Sequence, residues 1–569
     1  MQLDGYKLDH RRQAPENTAL VFANMTPRGS RVEGTKKVVF FGLQYFLKEY
    51  VIKNWNETFF DRPVEEVVRK YNRSVKNYVG PNDIGEDHIR ELHALGYLPL
   101  EFWALPEGSE VNLRVPMYVC WNTHPDTIPS TVFSWIVNSL ETIASCTIWM
   151  PTTSATTALM YRKLLDLWCS KTNPEMSAFV PWQGHDFSFR GHSSRESAII
   201  SGAGHLLSFT GSDTYPCIDF FEEYYGADGD KELIAGTIPA TEHSVMCLGG
   251  LEDEVKTFSR LMDIYVKGPF AVVSDTWNLW NVVDPVNGIL ARLKDKIMGR
   301  DGKLVVRPDS GDPVDIICGT ARVITHEDGA WELHSVWKKA PKCQTESGKK
   351  YIWVYDSGAD EYGKLFRNLE DENLESGFTL NLEPSKSVPL HVKGVIQCLW
   401  EGFGGTTTST GYMQLDSHVG AIYGDSITLE RAEQICKRLE ALGFASTNVV
   451  YGIGSFTYQG AITKDAIVTR DTHGFAVKTT YGELLYEDGT VTGKEIFKDP
   501  ITDDGLKKSA KGLIAVYQNP ITGDFSAKDQ ATWDEVRNCA FVQVFKDGEM
   551  TKEWNLAEIR ARLASSRPS

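Results

Sequence analysis

At 569 residues the chain is too long for one simple core, so two or three domains are expected. Hydrophobic residues at 42% and charged residues at 24% fit an ordinary globular protein, and a net charge of -17 argues against general binding to nucleic acid or an anionic membrane. The ten cysteines form no CxxC pair, the opening "MQLDGYKLDHRRQ" has no signal-peptide core, and no run approaches the roughly 20 apolar residues of a membrane span, so a reducing, cytoplasmic location is expected.

The first 150 residues mix short helices and strands. "KKVVFFGLQYFLKEYV" reads as the start of a buried helix. In "RPVEEVVRKY", Pro63 precedes Val64, Val67, Val68 and Tyr71 at helical spacing. "LPLEFWALPEGSEVNLRVPMYVC" is rich in strand formers. "SSRESAIISGAGHLLSF" reads as a helix.

Short β-branched runs follow, each closing on polar residues. "FAVVSD" ends at Ser274 and Asp275, and "KLVVRPDSGDP" at Arg307, Asp309 and Ser310. "VGAIYGDS" ends at Gly424, Asp425 and Ser426, and "TNVVYGIGS" at Gly452, Gly454 and Ser455. Between the last two, "TLERAEQICKRLEALGF" keeps helical period, with Thr428 as N-cap and Gly443 as stop. Parallel α/β barrels place their sites at the C-terminal ends of strands, and four such ends favour a barrel over an open doubly wound sheet. Residues 322 to about 388 break the pattern and read as an inserted surface subdomain, with Trp331, Trp337 and Trp353 suggesting a small packed hairpin. The tail, with an Asp-Gly turn signal in "TTYGELLYEDGT" and a final helix near "NLAEIRARLA", is expected to join the N-terminal α+β layer. The expected division is 1–150 with 468–569 as an α+β domain, and 151–467 as an irregular parallel α/β barrel.

Several clusters carry chemistry. "GHDFSFRGHSS" sets Phe187 and Arg190 beside His185, a face and a cation suited to a flat heteroaromatic ring near a phosphate. In "TGSDTYP", Asp213 could accept a hydrogen bond from a ligand amide or cap the next helix. Arg307 in "RPDSGDP" can clamp phosphate bidentately, and Asp309 can hold ribose hydroxyls or Mg2+. The glycines of "YGDS" and "YGIGS" let backbone N–H groups approach phosphate, although neither is a Walker A loop or a full GxGxxG fingerprint. "TRDTHGFAVK" adds Arg470 and Lys478.

Together "LDGYKLDH", "FFGLQYFL", "HDFSFRG", "GSDT", "IPATEHS", "VVSD", "RPDSGDP", "IYGDS", "GIGSFTYQ", "TRD" and "IFKDPITDDGLKKSAKG" resemble the nicotinamide phosphoribosyltransferases, bacterial-type members of the type II phosphoribosyltransferases, over most of the chain. The resemblance implies a glycosyltransferase of NAD salvage. It would join nicotinamide to phosphoribosyl pyrophosphate as a homodimer with shared active sites, with Mg2+ and an optional ATP co-substrate. Nicotinamide would stack between Phe187 and Tyr6 of the other subunit, with Asp213 accepting from the carboxamide and repelling nicotinate. Arg190, His243 and Arg307 would hold pyrophosphate, and Asp309 the ribose or metal, most of the metal's ligands coming from pyrophosphate. Gly424, Asp425, Gly454 and Ser455 would hold the ribose phosphate, helped by Arg470 and Lys478 of the other subunit. His243 matches the family's phosphorylatable histidine. The family's supporting aspartate aligns with Asn278, which implies weaker ATP coupling, and "GAITKDAI" (460–467) is an extra segment. The competing readings are a nicotinate phosphoribosyltransferase, disfavoured by Asp213, a sugar-phosphate aldolase or isomerase, for which no strand end offers a Schiff-base lysine, and a non-catalytic nucleotide binder.

Overall fold

The computed structural model describes residues 2–126, 129–325, 330–367, 380–424, 426–463, 465–498 and 510–567. One layer is a seven-stranded antiparallel sheet drawn from both chain ends. Its order is Val491–Glu495, Phe475–Leu485, Thr18–Pro27, Tyr118–Asn122, Leu100–Ala104, Val542–Lys546 and Glu549–Met550. Thr18–Pro27 lies between two neighbours and is buried along most of its length, as a near-continuous apolar strand should be.

The second layer is a parallel sheet of six strands: β1 (Gly184–Asp186), β2 (Gly211–Ser212), β3 (Phe270–Val273), β4 (Leu304–Arg307), β5 (Val419–Tyr423) and β6 (Val449–Ile453), in the order β2-β1-β6-β5-β4-β3. All four β-branched runs singled out in the sequence are here, and all pair parallel. The two edges are joined by residues 236–241. Gly236 exchanges backbone hydrogen bonds with the β2 edge (Ser212 N to Gly236 O, 3.0 Å; Gly236 N to Thr210 O, 2.9 Å). On the other side, Ala271 N donates to Pro239 O (2.8 Å) and Thr241 N to Ala271 O (3.1 Å). Pro239 has no N–H to give, which keeps this seventh stave irregular. The sheet is thus curled into a barrel, as expected. Side chains alternate across it: Ala271, Val305 and Ile422 face the bore, while Phe270, Val272, Leu304 and Val306 face the outer helices.

Helix α1 (Trp135–Thr172) runs 38 residues and serves both layers. Ile136, Leu140, Ile148 and Leu159 enter the core of the antiparallel layer, while Ala158, Tyr161, Leu165 and Trp168 enter the barrel core. Two more helices bear on the site: α2 (His243–Gly249) follows the closing stave, and α3 (Leu429–Ala441) covers the barrel between β5 and β6. In α3, Thr428 Oγ1 accepts from Arg431 N (3.2 Å) and Gly443 takes φ 79°, the cap and stop read from the sequence.

Two expectations change. "KKVVFFGL" begins as a strand, Lys37–Val39, paired with Glu110–Asn112, and a helix starts only at Leu43. A Cβ on Gly42 (φ 103°) would lie 2.6 Å from Pro151 Cγ, so a bulkier residue could not make that entry turn. The inserted subdomain is a five-stranded mixed sheet plus the helix Ala330–Lys339, more than a hairpin. Trp337 is buried on one face of it with Ile352 and Val354, and Trp353 on the other against Val392; the side chain of Trp331 lies outside the described residues. The extra 460–467 segment forms a short pairing of Ala461–Thr463 with Ala466–Ile467, pinned by Ile462 against Val32 and Trp149.

Candidate active site

The C-terminal strand ends converge on one mouth. The ends of β1 and β2 supply Phe187 and Asp213. The closing stave delivers Thr237 and then His243, β3 Asp275 and Thr276, β4 Arg307 and Asp309, and β5 and β6 the glycines 424 and 454. A cavity of about 540 Å³ enters here, between His185, Phe187, Asp213, Thr237 and Arg307, and continues down the bore to Lys303. The small bore residues Ala271 and Gly420 leave this space.

Phe187 is fixed from two sides. Its ring lies 4.6 Å from that of His185, and the Arg307 guanidinium is 5.1 Å from its centroid. A Cβ at Gly452 would come within 2.7 Å of the Phe187 ring and 2.6 Å of Tyr423 O, so only glycine admits the aromatic ring there. Asp213 Oδ1 accepts from Thr237 Oγ1 (2.6 Å) and His185 Nε2 (3.2 Å). Burial alone would raise its pKa, but His185, Thr237 and Arg307 outweigh it and hold the carboxyl below the ordinary aspartate value.

His243 opens α2. Its Nδ1 meets Thr276 Oγ1 at 3.0 Å and its Nε2 meets Asp309 Oδ1 at 3.2 Å. Asp275 organises the turn opposite: its Oδ2 accepts from Asp309 N (2.9 Å), Ser310 N (2.8 Å) and Ser310 Oγ (2.6 Å). Its Oδ1 is buried with no hydrogen-bond partner, and so is Arg307 Nε. Buried polar atoms are nearly always paired, so two orphans in one mouth mark positions a ligand would satisfy. His243, Asp275 and Asp309 place their ligand atoms within 4.8 Å of one another, a nitrogen and two carboxylates that can hold a divalent ion.

Asn278 makes no hydrogen bond to His243 among the described residues. Its Oδ1 caps the short helix Leu279–Val283, accepting from Trp280 N (3.1 Å) and Asn281 N (3.3 Å). The carboxylate on the imidazole is Asp309, at Nε2, with Thr276 at Nδ1 and Asp275 holding the Asp309 turn behind it.

The remaining expected residues divide into two groups. Gly424 lies at the mouth: a Cβ on it would be 3.0 Å from Arg307 Nε. Ser455 lies against Gly191, where a Cβ would overlap Ser455 Oγ at 1.8 Å, so the exposed Arg190 turn docks on the end of β6 beside Gly454. Asp425 lies outside the described residues. Tyr6, Arg470 and Lys478 are elsewhere. Tyr6 is 69% exposed at the N-terminal turn. Lys478 Nζ bonds Glu141 (3.2 Å), which Lys7 also holds (2.9 Å), and Arg470 pairs with Asp471 (2.9 Å). Among the described residues, none of the three hydrogen-bonds or stacks with Phe187, Asp213, His243, Arg307 or Asp309.

His185, Thr237, Asp275 and Thr276 were not singled out from sequence as site residues. Asp275 carried a signal, being a carboxylate straight after a β-branched strand; Thr237 carried none. A second cavity, about 460 Å³, lies under the N-terminal turn among Tyr50, Trp55, Tyr71 and Trp135, but Lys70 is the one charged residue lining it among the described residues.

Residues 182–548 match the nicotinate phosphoribosyltransferase (NAPRTase) family profile, and residues 1–100 match the profile for the nicotinamide phosphoribosyltransferase N-terminal domain. The chain is 41% identical to a nicotinamide phosphoribosyltransferase of Acinetobacter baylyi, over 99% of this chain and 96% of the relative. It is 29% identical to one of Mycoplasma pneumoniae, over 90% and 96%. Nicotinate-nucleotide pyrophosphorylase from Pyrococcus furiosus superposes with a TM-score of 0.47 at 13% identity, covering 99% of this chain and 93% of that one. No helix among the described residues is long and apolar enough to cross a membrane. The match across 182–548 takes in every strand end of the barrel mouth, and the chain belongs to the nicotinate phosphoribosyltransferase family.

Proposed function

We propose that the chain joins nicotinamide to the anomeric carbon of 5-phosphoribosyl 1-pyrophosphate, giving nicotinamide mononucleotide and pyrophosphate in NAD salvage. The observation that carries this reading is Asp213, a carboxylate lining the cavity beside Phe187. A carboxylate there accepts an N–H of a carboxamide and repels the carboxylate of nicotinate.

In this reading nicotinamide lies against Phe187 with its ring nitrogen toward the mouth. The bond from the anomeric carbon to pyrophosphate breaks as the ring nitrogen bonds to it, through an oxocarbenium-like state. Arg307, with its free Nε, and Arg190 take the charge of the departing pyrophosphate, and Asp309 orients the ribose hydroxyls. Asp275, Asp309 and His243 would hold Mg2+ together with the pyrophosphate oxygens, and the ion would supply charge neutralisation to the leaving group. Gly424, Asp425, Gly454 and Ser455 take the ribose and its 5'-phosphate.

His243 is the residue for ATP coupling. Asp309 at Nε2 and Thr276 at Nδ1 orient the imidazole, and weaker coupling stays the expectation drawn from Asn278. Tyr6, Arg470 and Lys478 lie apart from the mouth, which supports a homodimer in which each site borrows them from the partner. A cytoplasmic location is part of the same proposal.

The test is purified protein with phosphoribosyl pyrophosphate and Mg2+, given nicotinamide or nicotinate, with and without ATP. Nicotinamide mononucleotide is expected, with labelled phosphate on His243 when ATP is present. Faster turnover of nicotinate would replace this reading with the nicotinate enzyme; unlabelled His243 would remove only the coupling.

A further inference from the structure

Asp213 is held on one side only. Thr237 Oγ1 at 2.6 Å and His185 Nε2 at 3.2 Å both address Oδ1, and among the described residues no hydrogen bond reaches Oδ2. The carboxylate side chain is 41% exposed, so Oδ2 has the cavity in front of it.

Neither donor is free to leave. His185 lies in β1, flanked by Gly211 of β2 and the end of β6. A Cβ at Gly211 would stand 2.7 Å from His185 Nδ1, so the glycine makes room for the imidazole, and the Phe187 ring covers it from above. Thr237 is fixed by the closing stave, whose neighbours bond to both barrel edges. Its hydroxyl proton has two acceptors in reach, Asp213 Oδ1 at 2.6 Å and Ile238 O at 3.4 Å, and the shorter contact takes it.

We infer that His185 and Thr237 are positioning residues that make Asp213 a one-sided acceptor. The choice between a carboxamide and a carboxylate on the pyridine ring then rests on them as well as on Asp213. This deepens the reading that Asp213 meets the ring substituent. The terminal torsion of an aspartate is broad and roughly two-fold, so an untethered carboxylate presents either oxygen at a range of angles. Two donors on Oδ1 remove that freedom. They leave Oδ2 as one fixed, charged acceptor aimed into the cavity, where a primary amide offers an N–H and a carboxylate offers only like charge.

Steady-state kinetics on Thr237→Val, Thr237→Ser, His185→Leu and His185→Gln test this, with nicotinamide, nicotinate and phosphoribosyl pyrophosphate each varied. Losing a hydrogen bond to a charged group is worth about tenfold or more. Thr237→Val and His185→Leu are therefore expected to raise KM for nicotinamide about tenfold, and to lower the nicotinamide-to-nicotinate preference by a similar factor. KM for phosphoribosyl pyrophosphate should move less than about twofold. Thr237→Ser and His185→Gln, which keep a donor, should recover most of the loss. A merely structural role would move both substrates together and would not be rescued by serine. If His185→Leu does not fold, the two Thr237 variants and His185→Gln decide alone.

An unchanged KM for nicotinamide and an unchanged preference in Thr237→Val overturn the inference while leaving the enzyme's assignment intact. If the wild type makes no nucleotide from nicotinamide, the assignment itself fails. Calorimetric binding of nicotinamide to wild type, Thr237→Val and Thr237→Ser then judges the inference: weaker binding by valine alone supports it, and equal binding or none overturns it.

Discussion

Two buried polar clusters in this molecule are built from similar residues and behave oppositely. Around Glu107, where the chain ends meet, the accounts balance. Oε1 accepts from Gln44 N (2.6 Å), and Oε2 from Gly42 N and Tyr225 Oη (3.0 Å each). Gln44 completes the set, donating to Tyr224 O (2.6 Å) and Trp554 O (3.0 Å) and accepting from Trp554 N (2.8 Å). At the barrel mouth Asp275 Oδ1 and Arg307 Nε are left over. A satisfied network fixes a fold; an unsatisfied one at a cavity keeps capacity for a ligand. Charge and burial alone do not separate a structural carboxylate from a working one; Glu254 Oε1 is an orphan too, and what marks Asp275 is an orphan oxygen grouped with His243 and Asp309.

The contrast can be broken most forcefully at Glu107. Glu107→Ala leaves three buried donors without an acceptor, and a loss of about 3 kcal/mol or more in urea unfolding is expected, with turnover per folded molecule unaltered. Burial pushes the Glu107 carboxyl up to about 7, against the donors from Gln44, Gly42 and Tyr225. Its folded pKa therefore lies above the unfolded one, so it takes up a proton on folding in the window between them. Its contribution is full below the unfolded pKa and is lost as the pH rises through about 7. The stability gap between wild type and variant should shrink between pH 5 and 8, by about 3 kcal/mol at most. A gap that widens with pH would contradict the sign.

Arg307→Ala makes the opposite pattern. It removes the orphan Nε with one long bond to Thr241 O and the cation over Phe187, so unfolding should change by only about 1 kcal/mol while kcat/KM falls about 100-fold, by analogy with losing one charge-stabilising donor. Equal losses of stability and activity would place Arg307 with Glu107. The smallest effect sharpens the boundary. Asn278→Ala removes a helix cap and should cost about 1 kcal/mol of stability. Activity and His243 phosphorylation should stay within about twofold of wild type. A tenfold drop in phosphorylation would place Asn278 in the site beside Asp309 and Thr276.

The barrel was legible in sequence because its signals are local. Strands such as "FAVVSD" and "KLVVRP" announce themselves by β-branched runs ending in polar residues, and Thr428 and Gly443 punctuate α3 by chemistry that needs no distant partner. The closing stave was not legible, since Pro239 interrupts Thr237, Ile238 and Thr241, and the segment joins its two neighbours only through isolated bridges. Thr237 was hidden for the same reason. Its partner Asp213 is brought near by ring closure, which leaves no periodic mark. That Asn278 caps a helix while Asp309 meets His243 was hidden too, because that contact joins residues 66 apart in the chain. In the insertion, the sheet partners are set by pairings such as Tyr351 with Phe366 and Trp353 with Lys364, across a turn whose length the composition does not state.

The antiparallel layer also constrains how the protein is made. Strand Thr18–Pro27 finds its neighbour in Phe475–Leu485, and Leu100–Ala104 finds Val542–Lys546. On a ribosome adding about 5–20 residues per second, the first strand waits about 20–90 s for a partner that has not yet been synthesised. Every stave of the barrel emerges before that partner, so the barrel can close early while one face of α1 and the N-terminal strands remain uncovered. The most aggregation-prone interval in the life of this chain therefore falls late in its own translation, and the N-terminal third, not the catalytic barrel, is the part a chaperone would have to shield.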